Sequence, residues 1–137
     1  MKKTQIILLI LVIAGIVGMS FFIKDLTTQE TFATAQKKNG KKLAAYGAAA
    51  KGNTLLNYCG VKNDIIDFVV DANPHKQNKW LPGSHIPVVH EEYLKKIMPD
   101  YVIVLPWNLT NEITDQLAYI RKWGARFVVP IPRLQLL

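Results

Sequence analysis

Between Leu43 and Cys59 the chain reads LAAYGAAAKGNTLLNYC. A short apolar run gives way to Tyr46-Gly47, three alanines, and then Lys51-Gly52-Asn53-Thr54. Strand, small-residue loop and helix in this order leave backbone N–H groups pointing out of a helix N-terminus. Such a site favours anions, because unpaired N–H groups and the helix dipole act together. Two regular phosphate motifs fail here. The spacing from Gly47 to Gly52-Asn53-Thr54 is that of a P-loop, but Asn53 stands where the phosphate-reaching lysine belongs. Lys51 lies before Gly52 and cannot take its place, so ATP hydrolysis is not expected. The dinucleotide fingerprint fails because Ala49 occupies the second glycine position. Ala48 and its neighbours are nonetheless small enough for a ligand to approach. Asp71 follows roughly 20 residues on, where an acid can accept from a ribose hydroxyl. A tight turn that binds nothing is the plain alternative.

A second polar stretch runs from Ala72 to His85, ANPHKQNKWLPGSH. It carries donors for an anion and an aromatic face for a base or sugar: Asn73, His75, Lys76, Gly83, Ser84 and His85 join the candidate ligand set. Long loops in compact domains are often functional. For His75, ordering its own loop is an equal reading. The spacing of His75, His85 and His90 fits no zinc pattern, and Cys59 is the only cysteine, so no metal site is expected. Cys59 itself reads as a small buried apolar residue. Trp107-Asn108 follows a strongly apolar run and falls on the same rim as Tyr46, Lys51 and Asp71, since ligands of open α/β sheets bind beyond the carboxyl ends of strands. Asn108 has a second reading as the N-cap of the next helix.

The elements that must position these residues alternate. Apolar runs lie at Leu43–Ala45, Ile65–Asp71, Ile86–Val89, Tyr101–Leu105 and Phe127–Val129. Helical segments fall after Thr54, at Glu91–Ile97, and at Leu109–Trp123, where Ile113, Leu117 and Ile120 share one face. The pattern predicts an α/β fold: a Rossmann-like three-layer, mostly parallel sheet of about five strands, with the first strand central.

Four strings in order, YGAAAKGNTLLNYCG, DANPHKQNKWLPGSHIP, PDYVIVLPWN and WGARFVVPIP, resemble the C-terminal domain of S-adenosylmethionine-dependent sugar C-methyltransferases. The resemblance runs from about Lys41 to Pro132. It implies a domain that helps to hold a nucleoside-diphosphate sugar, in an enzyme whose zinc-binding and S-adenosylmethionine-binding catalytic parts lie elsewhere. The expectation is therefore a binding module with no cofactor of its own and no methyl transfer alone. A separately encoded methyltransferase half would be its partner, with S-adenosylmethionine bound only in a complete enzyme. A stand-alone nicotinamide oxidoreductase and a gene fragment without a role are the alternatives.

The N-terminal part differs in kind. Met1-Lys2-Lys3 precedes an uncharged stretch from Thr4 to Ile23, about 20 residues rich in Ile, Leu and Val, long enough to span a bilayer. Residues 1–24 read as a hydrophobic helix anchoring the chain in a membrane through residues 4–23, with a cleaved signal peptide as the competitor. Residues 25–40 read as a linker or short helix and 41–137 as the folded domain. Lysines after the stretch favour a cytoplasmic domain. The net charge of +7 is uneven: seven lysines against two acids up to Lys42, then ten basic residues against eight acids. A nearly balanced domain argues against a nucleic-acid partner.

Overall fold

The computed structural model describes residues 31–137. The expected membrane segment, residues 4–23, lies outside them. Among the described residues no helix is long and apolar enough to cross a membrane.

Residues 31–38 form a helix (α1). It packs onto the core through Ala33 and Phe32, with the Phe32 ring edge-on to Tyr101 at 5.4 Å and Lys37 paired to Asp67 at 2.7 Å. Strand β1 (Leu43–Tyr46), helix α2 (Ala50–Cys59) and strand β2 (Phe68–Val70) follow. Next come β3 (Lys79–Trp80), β4 (Pro87–Val89), α3 (Glu92–Ile97) and β5 (Tyr101–Val104). A 3-10 turn (Trp107–Leu109), α4 (Thr110–Gln116), a second 3-10 segment (Ala118–Trp123), β6 (Arg126–Val129) and β7 (Gln135–Leu136) complete the chain.

The strands form one sheet in the order β3-β4-β2-β1-β5-β6-β7, with β1 in the middle as expected. The five inner strands are mutually parallel, and β3 and β7 add to the edges antiparallel. About five strands were expected and seven are found among the described residues. The two additions are only two residues long, too short for any alternation to register in sequence.

Helices cover both faces. Leu43, Ala45, Val69, Val88, Ile103 and Val128 pack against α1 and α2. Ala44, Phe68, Val70, Val102, Val104 and Phe127 pack against α3, α4 and the second 3-10 segment. Burial on both faces explains why the inner strands read as continuous apolar runs.

Three boundaries differ from the sequence reading. Helix α2 begins at Ala50, well before Leu55, because burial of Gly52, Leu55, Leu56 and Cys59 on one side outweighs the weak helix propensity of Gly52, Asn53 and Thr54. Strand β2 pairs only from Phe68, since Ile65 and Ile66 are held in a turn by the Lys62 carbonyl, both at 3.0 Å. The helix expected over 109–123 is split at Leu117, where ψ of 14° tightens the chain into 3-10 bonding and Ile120 N–H reaches Leu117 O at 3.0 Å. Ile113, Leu117 and Ile120 are nevertheless all buried on the sheet, as their spacing predicts.

Two backbone positions yield tests. A Cβ on Gly52 would stand 2.6 Å from the Leu105 Cβ. Gly52→Ala should cost about 1–2 kcal/mol net, overpacking outweighing the gain in helix propensity, read as a lower midpoint in urea unfolding. Met98 ends α3 in the left-handed conformation, φ 52°, and is 54% exposed. Met98→Gly should therefore add about 0.5–1 kcal/mol in the same assay.

Candidate functional site

The rim at the carboxyl ends of β1 and β5 is built from two touching turns. Gly47 has φ 95°, and its N–H donates to Val70 O at 2.7 Å. A Cβ there would lie 2.5 Å from the Pro106 ring, so only glycine lets the two turns meet. Helix α2 starts immediately afterwards. Its N-cap, Ala49, offers no side-chain cap, and no acid stands in the first turn. The first bond back along the helix runs from Asn53 N–H to Ala49 O at 3.0 Å. The N–H groups of Ala50, Lys51 and Gly52 thus have no partner among the described residues and stand at the positive end of the dipole.

Lys51 Nζ lies 5.7 Å from the centre of the Trp107 ring, so a cation and an aromatic face flank that helix end. Trp107 and Asn108 also border a cleft of about 510 Å³, closed on its other side by Val129, Ile131 and Gln135. Asn108 does not cap α4. It sits inside the 3-10 turn, and the Thr110 hydroxyl instead donates to Trp107 O at 2.6 Å. Asn108 is exposed and lines the cleft.

Asp71 is already engaged. Its carboxylate accepts from Ala48 N–H and from Asn73 N–H, both at 2.8 Å, with Lys76 Nζ 3.7 Å away. Asn73 Oδ1 accepts from His75 N–H at 3.0 Å, and Gln77 Nε2 donates to Asp71 O at 2.8 Å. These contacts order the loop after β2. The loop-ordering alternative therefore describes Asp71 and Asn73, while the His75 side chain is exposed.

Asn53, Thr54, Gly83, Ser84 and His85 do not join this rim. Residues 51–54 were read as loop but form the first turns of α2. Thr54 Oγ1 donates back to Ala50 O at 2.9 Å. Asn53 Oδ1 accepts from Asn57 Nδ2 at 3.2 Å, and Asn57 also donates to Pro82 O at 2.9 Å. The stretch from Asn73 to His85 is not one loop. Strand β3 runs antiparallel through it, carrying Gly83, Ser84 and His85 to the opposite end of the sheet, where Ser84 O accepts from Asn63 N–H at 3.3 Å. Ser84 is fully buried, and its hydroxyl has no partner among the described residues. His75 and His85 thus lie at opposite ends of the sheet. Among the described residues no three metal-binding side chains cluster.

A polar group absent from the sequence reading stands on the other face, beside the end of β1. Gln116 Nε2 donates to Glu91 Oε2 at 3.0 Å and to the Tyr46 hydroxyl at 3.3 Å. Tyr119 donates to Glu91 Oε1 at 3.0 Å, and Lys95 Nζ lies 4.9 Å over the Tyr119 ring. Burial pushes the Tyr46 hydroxyl above its ordinary pKa of 10.0, with Glu91 and Asp71 adding to the effect. Burial and the Glu91 hydrogen bond raise Tyr119 further. Both phenols stay protonated near neutrality. No spacing rule could have found Glu91, Gln116 and Tyr119, which come from different segments and meet only in the fold.

The chain matches the C-methyltransferase C-terminal domain family over residues 24–132. That match begins before Lys41 and takes in α1. Over 94 residues the chain is 44% identical to C-methyltransferase NovU of Streptomyces niveus, an alignment covering 69% of this chain and 22% of that protein. The chain thus matches under a quarter of the length of this curated relative. The family match spans the strands and turns that build the rim, and the chain belongs to the C-methyltransferase C-terminal domain family.

Proposed function

We propose that this domain holds a nucleoside-diphosphate sugar for a C-methyltransferase, while the methyl group is delivered by another module. The observation that carries the reading is the uncapped start of α2 beside Lys51 and Trp107, in a chain 44% identical over 94 residues to a C-methyltransferase. The diphosphate would take the free N–H groups of Ala50, Lys51 and Gly52 and the Lys51 ammonium. The base would use the Trp107 face and the adjoining cleft. The strand order, with the inner five parallel and β1 central, supports a Rossmann-like description, and the proposed site lies beyond the carboxyl ends of β1 and β5, the edge at which such sheets bind ligands.

Within this reading Asp71 shapes the Ala48 turn instead of touching ribose. That weighs against the nicotinamide alternative, which needs the carboxylate free. S-adenosylmethionine is assigned to the catalytic module, encoded in the same or a separate chain. Membrane attachment through residues 4–23 rests on the uncharged apolar stretch alone.

Thermal unfolding of the full chain with thymidine diphosphate, uridine diphosphate, S-adenosylmethionine and NAD tests the proposal. A nucleoside diphosphate at 100 times its dissociation constant should add about 2.7 kcal/mol. Lys51→Ala should remove most of that gain and Asn108→Ala part of it. A shift with NAD alone, or none with either diphosphate, would sink the reading. Ser84→Ala, at the far end of the sheet, should leave the ligand shift unchanged and hold or raise the unliganded midpoint, because it removes a buried hydroxyl without a partner.

A further inference from the structure

We infer that Glu91 and Gln116 are positioning residues that fix the Tyr46 hydroxyl as a hydrogen-bond donor toward the rim; its use on ligand rests on the binding role proposed above. The orientation follows from which groups can donate. An ionised carboxylate only accepts. Glu91 accepts at both oxygens, from Tyr119 and from Gln116 at 3.0 Å each. The Gln116 amide must therefore turn its NH₂ toward Glu91, since its carbonyl would face the carboxylate's negative charge. The second hydrogen of that same NH₂ falls on the Tyr46 oxygen, 3.3 Å away. Tyr46 is thus held as an acceptor on the Gln116 side.

Among the described residues its own proton has no acceptor. Tyr46 is the last residue of β1, next to Gly47, and only 8% exposed. Tyr46, Gln116 and Glu91 come from three elements, so the amide cannot turn without breaking a contact at one end or the other. A neutral phenol fixed this way suits an acceptor oxygen: a phosphate or hydroxyl oxygen of the ligand placed beside the β1 turn. Asp71 and Glu91 both bear electrostatically on this hydroxyl, which disfavours the phenolate and keeps the donor in place.

Two measurements decide the matter. In the unliganded full chain, ¹³Cζ-tyrosine NMR titration follows Tyr46 directly. Gln116→Leu removes a hydrogen bond that favours the phenolate, so the Tyr46 midpoint should move up; an unchanged midpoint overturns the positioning. Calorimetric titration with thymidine diphosphate then tests the donor. Tyr46→Phe and Gln116→Leu should each weaken binding about three- to tenfold, the loss of one hydrogen bond. The double variant should be no weaker than the worse single one, because Gln116 acts through Tyr46. Additive losses would show that Gln116 works independently and overturn the inference. Should wild type bind no thymidine diphosphate, the binding proposal falls together with the donor role toward ligand, while the NMR titration still judges the positioning by itself.

Discussion

The site depends on the closeness of α2 to the end of β5. Gly52 brings the first turn of the helix onto Leu105, and Gly47 brings the preceding turn onto Pro106. Neither contact tolerates a Cβ. The two loops that leave the central strands are thereby locked together, and Lys51 is brought over Trp107. Any side chain at these positions would push the helix outward and separate the cation from the ring. The alanines between the two glycines serve the same end. They carry no polar group that could cap the helix, so its N–H groups stay available.

The polar groups around this junction divide their work. Asp71, Asn73 and Gln77 hydrogen-bond to their own loop and to Ala48, making the turn rigid. On the other face Glu91 ties Gln116 and Tyr119 together, and Gln116 reaches Tyr46. What remains among the described residues is a helix end, a lysine resting over a tryptophan ring, and a phenol proton. All of these suit the ligand proposed above, an oxygen-rich anion with an aromatic part. A carboxylate at the helix end would cancel that preference, which gives meaning to the absence of acids from the first turn of α2.

Much of the architecture was legible in the chain. Parallel strands buried on both faces must be apolar along their buried length, so Tyr101–Leu105 and Phe127–Val129 stand out as runs. The spacing of Ile113, Leu117 and Ile120 named the buried face of its segment even though the helix changes type within it. The short edge strands and the true start of α2 were not legible. Two-residue strands exist only because a neighbour's backbone pairs with them, and Lys51 to Thr54 contain no residue that forbids either loop or helix.

Local chemistry along the chain determined the small-residue turn, the missing cap, the run order and the family resemblance, because each depends on residue types at fixed short spacing. Tertiary structure decided which polar residues share a place. Ser84 and His85 are close to Asn73 in sequence, yet β3 reverses the chain and carries them to the far end of the sheet. Glu91, Gln116 and Tyr46 are far apart in sequence and meet at one amide, that of Gln116. Strand direction and helix docking are set by hydrogen bonding and packing between distant segments, and no local spacing encodes them.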